Sequence, residues 1–349
     1  MKIALIADQH FGVRNDNPVF LNNQKKFYEN IFFPTLKEEG CKNIIDLGDS
    51  FDKRKAVDFR TLSEAKEMYF DPCKEYSLYS IVGNHNTYYK NTNDINSCEL
   101  LLSQYDNVTL VEDEPMEIDF GGVSFILCPW ICKENYEKCM SALSDTNASF
   151  LLGHFEINGF EMSKGFLCKS GFDKELFSSF EQVYSGHFHI PSKKGNIEYL
   201  GAPYQMDWND YGGKRGFYIF DTETRDKVFH ENPYHLFHKI EYYDLPIDEI
   251  AHLDFSPLEG CYASLVVNER ESMESFEAFV NAIENANPAD LKVIENVKSL
   301  KFEPSENLED VKETQDVVDH YVDSVEISKV PKDKVKSLIK ELYNEAQTL

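Results

Sequence analysis

Positive charge is what this sequence has least of. Its 349 residues carry 35 Lys and Arg against 61 Asp and Glu, a formal net charge of −26. A chain so acidic does not hold nucleic acid through its overall field; an anionic substrate must be drawn by local basic groups, bound cations or a partner. Long apolar runs are missing too. The longest nearly unbroken one, Val123 to Cys132, falls far short of the ~20 residues that cross a bilayer, so no membrane partner is expected. No basic, apolar and small-residue leader precedes the first strand candidate at Lys2, and none of the eight cysteines forms Cys-x-x-Cys. Buried thiols and a cytoplasmic location are therefore expected, rather than disulfides or a cysteine zinc site. The Gly-x-x-x-x-Gly-Lys-Ser/Thr phosphate loop is absent, because Gly212-Gly213-Lys214-Arg215 lacks both spacing and hydroxyl. ATP hydrolysis is left to another chain.

What is present reads as a globular α/β protein: 42% of residues are hydrophobic and 13% aromatic. Apolar segments 2–7, 43–47 and 78–82 alternate with helix-length segments 19–38 and 58–71, the second behind Asp58 as a cap. That βαβαβ order predicts a parallel or mixed sheet with helices outside. After a helix near 97–104, strands at 108–112, 116–120 and 123–128 follow closely, with Gly121-Gly122 as a hairpin turn. A helix near 133–144 leads to strand 148–153. Strands 181–185, 196–200 and 216–220 are expected to complete a second sheet. The pattern predicts two sheets packed face to face and flanked by helices, over residues 1–236. Beyond Asn232-Pro233, segments 238–245, 262–267, 273–286 and 291–297 read as a small α+β domain, 237–302. A linker at Pro304 then leads to two amphipathic stripes, Val317 to Val325 and Val335 to Tyr343, which predict a helical hairpin within 303–349.

Polar residues recur just beyond the apolar runs. Asp8-Gln9-His10 follows the first, and His187-Phe188-His189 follows Val183 to Gly186; on extended backbone i and i+2 share a side. Gly48-Asp49, Gly83-Asn84 and Gly153-His154 place a donor behind a glycine, where backbone can crowd a shared centre. Each motif alone is commonplace. Five strand ends supplying two Asp, one Asn and four His are not, and such mixed donors suit manganese, iron or zinc. Seven are too many for one tetrahedral ion and suit two ions sharing a carboxylate.

In this order, Asp8-x-His10, Gly48-Asp49-x-x-Asp52, Gly83-Asn84-His85, Gly153-His154 and Gly186-His187-x-His189 resemble the blocks of calcineurin-like metallophosphoesterases. Gly48 to Asp52, Ile81 to His85 and Tyr199 to Pro203 resemble the SbcD nuclease branch, and its phage recombination-endonuclease subunits in particular. The resemblance covers about 1–240 strongly. It implies the calcineurin-like sandwich, with Asp8, His10 and His189 on one metal, Asn84, His154 and His187 on the other, and Asp49 bridging. It implies two Mn²⁺, with Mg²⁺ or another divalent ion as substitute. His85 fits a group that protonates or stabilises the leaving oxygen, and Asp52 one that orients a ligand or water.

The implied activity is a nuclease of DNA recombination, repair and replication, 3′-to-5′ on duplex ends and endonucleolytic on single strands. It works with an SbcC-like coiled-coil ATPase bound through 305–349, and a homodimer is a further expectation. For a phage chain the compartment is the host cytoplasm. Arg14, Lys53, Arg54, Lys55, Lys90, Lys214 and Arg215 lie in loops near these blocks and are candidates for DNA contact. Two other readings stand beside this one. A small-molecule or phosphoprotein phosphoesterase lacks a use for the appended modules, and the chain has Asp52-Lys53-Arg54 where protein phosphatases have Asp-Arg-Gly. A scaffold with a vestigial site sits badly with intact Asp49, Asn84 and His85.

Overall fold

The structure is a computed structural model that describes residues 1–163, 165–295, 332 and 334–336. Residues Met1–Asn296 form one compact unit and Val297–Leu349 a second. Of the expected hairpin, only residues 332 and 334–336 are described, all helical; the remainder of both stripes lies outside the described residues.

In the first unit the strands are β1 Lys2–Ile6, β2 Asn43–Asp46, β3 Ser77–Ile81, β4 Val108–Val111, β5 Met116–Phe120, β6 Val123–Cys128, β7 Phe150–His154, β8 Glu161–Ser163, β9 Phe166–Leu167, β10 Gln182–Gly186, β11 Ser192–Lys194, β12 Ile197–Tyr199, β13 Gly216–Asp221, β14 Asp226–Glu231, β15 Phe237–Tyr242, β16 Tyr262–Val267 and β17 Asp290–Glu295. One six-stranded sheet runs β14-β13-β1-β2-β3-β4 and the other β11-β12-β10-β7-β6-β5. They form an α/β sandwich. Alternation along β1 explains the layering. Ile3 and Leu5 face the second sheet and meet Phe125, Leu127, Phe150 and Leu152 between the layers. Ala4 and Ile6 face outward to Phe20, Phe27, Tyr28 and Phe32 of the helical run 18–38. That run carries a π-helical turn at Tyr28–Phe32, as the next helical run does at Lys66–Phe70. Asp58 caps the second run, accepting from the N–H groups of Arg60 and Thr61.

Two strands sit elsewhere than expected. Segment 216–220 does not complete the second sheet: β13 pairs antiparallel with β1, and β14, which the sequence reading passed over, pairs with β13. Likewise β4 extends the first sheet beside β3. Five of the six residues of β13 are buried, and a strand covered on both faces has no alternation to say which sheet it belongs to. Strands β15, β16 and β17 form a parallel sheet under the helix Met273–Asn285, with its own core of Tyr242, Leu265, Phe279 and Ile283. Among the described residues no helix is long and apolar enough to cross a membrane.

Candidate metal centre

Strands β1, β2 and β3 run parallel in one sheet, and β7 and β10 run parallel in the other. Their carboxyl ends gather at one edge of the sandwich, the usual place for a site in parallel sheets. The motif donors lie at or just beyond those ends, and the backbone there is bent hard. Asp8, His10, Asp49 and His187 have φ of 56°, 46°, 59° and 90°, left-handed conformations that cost a non-glycine residue on the order of 1 kcal/mol or more and concentrate at functional sites. This corrects the extended-strand expectation: His187 and His189 do not leave an extended backbone side by side. The turn at His187 sends its ring to Asn84 (Nδ1 to Oδ1, 2.8 Å) and leaves His189 against His10 (Nε2 to Nε2, 3.1 Å). Gly83 is required by contact. A Cβ there would stand 2.3 Å from Asp49 Oδ1 and 2.7 Å from its backbone nitrogen.

Donor atoms converge in three groups: Asp8, His10 and His189; Asp49, His154 and His187; and His10, Asp52 and His85. Asp49 Oδ2 lies 3.2 Å from His154 Nε2 and 3.8 Å from His10 Nε2, facing both sides of the site. His154 tests the fit of a cation. Its Nδ1 lies 2.7 Å from the carbonyl oxygen of Leu47, so Nδ1 carries the proton of the neutral ring. Nε2 then presents a lone pair to Asp49 Oδ2 and, at 3.0 Å, to Asn84 Oδ1. Three acceptors facing one another need a proton or a metal between them. Without a metal a proton serves: burial disfavours the imidazolium, but Asp49 overrides it and His154 is raised to about 9. Burial also opposes ionisation of Asp49, yet the neighbouring histidines, His154 first, hold its carboxyl well below the usual range. Burial keeps His10 and His189 low and brings His187 to about 3; these rings are neutral at pH 7, as ligation requires. The donor set fits divalent cations.

Supporting bonds hold the loops. The His187 N–H donates to Asp8 Oδ1 (2.9 Å) and the His85 N–H to Asp49 Oδ1 (2.7 Å). Asn86 Oδ1 accepts from the backbone of Asp49 (2.8 Å) and Gly83 (2.9 Å), while its amide donates to Ser97. His85 Nδ1 is fixed by the carbonyl oxygen of Asp52, and the Asp52 carboxylate lies 3.2 Å from His10 Nδ1.

No protein-family model matches the chain. It is 31% identical over 355 residues, 99% of each chain, to exonuclease subunit 1 of Enterobacteria phage T4. The chain belongs to the SbcD-like nucleases of the calcineurin-like metallophosphoesterase superfamily. Among solved structures it is similar to an archaeal phosphodiesterase (14% identity, TM-score 0.35, 66% of this chain and 100% of that one). A protein of unknown function from Aquifex aeolicus matches at 16% identity and a TM-score of 0.28, over 51% of this chain and 93% of that one.

Against this SbcD-like site, the seven basic candidates separate. Arg215 is 3% exposed with its guanidinium on Asp210. Lys53 pairs with Asp16, Lys214 with Glu231 and Arg14 with Asp207. Arg54 donates to the carbonyl oxygens of Thr87 and Tyr89 and to Thr87 Oγ1. Lys55 and Lys90 stand exposed with no acidic partner among the described residues. Two groups escaped the sequence reading. Trp130 lies against His187 and His154, at ring-centroid distances of 5.3 and 6.0 Å; one tryptophan after Cys128-Pro129 carries no signal of its own. The other is Asp46, fully buried behind the site. It accepts from Gln9 Nε2 (3.0 Å), the Gly48 N–H (3.1 Å) and Ser50 Oγ (3.2 Å), and burial raises it to about 7. Its last-in-strand position between Ile45 and Leu47 looks like an ordinary strand end.

Proposed function

We propose that this chain is the nuclease subunit of a DNA-processing nuclease–ATPase complex, hydrolysing phosphodiesters with two Mn²⁺. The observation that carries the reading is Asp49: one buried carboxylate faces His154 and His10 at once, with Asn84 and His187 beyond the first and Asp8 and His189 beyond the second. Bound divalent ions would polarise the phosphodiester and acidify the attacking water. Asp8, His10 and His189 would hold one, Asn84, His154 and His187 the other, with Asp49 shared. Asp52 orients His10. His85, its Nδ1 anchored on the Asp52 carbonyl, keeps Nε2 for the leaving oxygen.

In this reading the chain works in the host cytoplasm as a 3′-to-5′ exonuclease on duplex DNA and an endonuclease on single strands, in recombination, repair and replication. Residues 237–302 serve as the capping domain and 305–349 dock an SbcC-like ATPase. Lys55 and Lys90 contact DNA. A homodimer is a further part of this reading, which light scattering on the purified chain tests.

The test is hydrolysis of linear duplex DNA, bis(p-nitrophenyl) phosphate and p-nitrophenyl phosphate by the purified chain with Mn²⁺, beside Asp49→Asn. Diester and DNA cleavage that the variant loses, together with metal content below two ions per chain, is expected. Cleavage of monoesters alone would move the chain to the small-molecule reading. Deleting 305–349 is expected to spare diester hydrolysis and abolish complex formation with the ATPase.

A further inference from the structure

The loop that follows Asn84 and His85 combines firm anchoring with exposed aromatic surface. Thr87 and Asn96 form an antiparallel bridge, and the Tyr88 N–H donates to the Ile95 carbonyl (2.8 Å). Asn93 Nδ2 donates to the carbonyl oxygens of Glu112 (2.8 Å) and Trp130 (2.9 Å). Arg54 adds three hydrogen bonds to Thr87 and Tyr89. Yet beside the bridge that closes this pinned loop Tyr88 is 38% and Tyr89 49% exposed. Their rings meet edge to face at 4.7 Å, with the Lys55 ammonium 5.4 Å from the centroid of Tyr88. Lys90 follows, exposed. Water is a poor setting for two aromatic rings that fill no core, and a rigid loop has already lost the entropy that binding would otherwise cost.

We propose that Tyr88 and Tyr89 form a stacking platform for unpaired nucleotides of a DNA strand at the metal centre, with Lys55 and Lys90 on its phosphates. The proposal rests on the reading of that centre as a DNA phosphodiesterase and deepens it. Aromatic faces interleaved with cations bind single strands because every unpaired base offers a π face, whatever the sequence. A paired base inside a duplex does not. Position agrees: Tyr88 is three residues past His85, and Arg54 ties the platform to the loop of Asp52, whose carboxylate meets His10. Stacking also suits a chain of net charge −26, since it draws affinity from a source that phosphate contacts do not supply.

The experiment is fluorescence anisotropy with the full chain in EDTA, so that nothing is cleaved, using a dT 12-mer, an abasic 12-mer and a blunt duplex of two annealed strands. The unaltered chain is expected to prefer dT over the abasic strand by at least about fivefold, the lower end for one stacked base. The Tyr88→Ala, Tyr89→Ala double variant loses that preference, whereas the double phenylalanine variant keeps it. Salt dependence and duplex affinity stay unchanged in both. Should the alanine pair melt early, Tyr89→Ala alone makes the same comparison. Retention of the preference in the alanine variant, or its loss in the phenylalanine one, overturns the proposal. So does an alanine variant that loses only a dimer by light scattering, which would make the pair a surface for a second copy. Diester hydrolysis by the unaltered chain with Mn²⁺ reports separately on the metal-centre reading.

Discussion

Replacing Asp46 with asparagine removes a carboxyl that the fold buries completely and lifts from near 3.8 to about 7. For an acid raised in this way the folded chain keeps a proton that the unfolded chain has released, so stability falls as pH rises between those values. At about 1.4 kcal/mol per unit, a shift of about 3 units penalises the folded state by up to about 4 kcal/mol above pH 7. Asparagine carries no such penalty, and it can be accommodated. Gln9 Oε1 is buried without a partner, and turning the Gln9 amide over would present that oxygen to the new side-chain N–H₂. The stability of Asp46→Asn relative to the parent should therefore grow by about 2 kcal/mol between pH 5.5 and 8, and level off above about pH 7.5. Paired urea titrations of both chains in chelator measure it, the difference cancelling other titrating groups. Divalent metal near Asp8 should flatten the slope. An identical stability difference at pH 5.5 and 8 would refute the reasoning, showing that Asp46 is ionised throughout.

Three other outcomes are expected. His85→Ala should keep its metals by elemental analysis and lose about 10²–10⁴-fold in diester hydrolysis; loss of metal would make it a ligand, through its cluster with His10 and Asp52. Gly83→Ala should displace the Asp49 carboxylate, because its Cβ would meet Oδ1 at 2.3 Å, lowering metal occupancy while a far-ultraviolet circular dichroism spectrum stays native. Metal binding should release close to one proton at pH 7.5, since His154, raised to about 9 by Asp49 over the opposition of burial, must lose its proton to ligate. Mn²⁺ titrations in buffers of different ionisation enthalpy would detect it, and no release would mean that His154 is already neutral.

The candidate donors were legible because each follows an apolar run that ends in glycine or at a turn, and the fold brings Asp8, His10, Asp49, Asn84, His154, His187 and His189 together. Their division into clusters came from the family resemblance and not from spacing. It depends on the left-handed turn at His187, and φ is not written in residue type when the residue is histidine rather than glycine. Sheet membership failed at β13 for a related reason: strands buried on both faces advertise strand but not neighbour. Asn86 sits behind Asp49 and Gly83, where its amide oxygen accepts from two backbone N–H groups and its N–H₂ donates to Ser97, a role that residue type alone does not announce.

The basic residues show most clearly what spacing cannot decide. Arg14, Lys53, Lys214 and Arg215 all lie near site loops in sequence, and all four are occupied by Asp207, Asp16, Glu231 and Asp210. With Arg54 committed to its own loop, few cations remain to neutralise phosphates. Each neutralised phosphate contributes roughly 0.7–0.9 to the slope of log affinity against log salt. Of these seven candidates only Lys55 and Lys90 lack an acidic or backbone partner among the described residues, so the site loops would add little to that slope. On the proposed reading, affinity would come also from cations at the Asp49 centre, from stacking on Tyr88 and Tyr89, and from a partner. On the proposed reading, cleavage of linear duplex by the purified chain should therefore be slower than cleavage of strands that offer unpaired bases or that a partner presents.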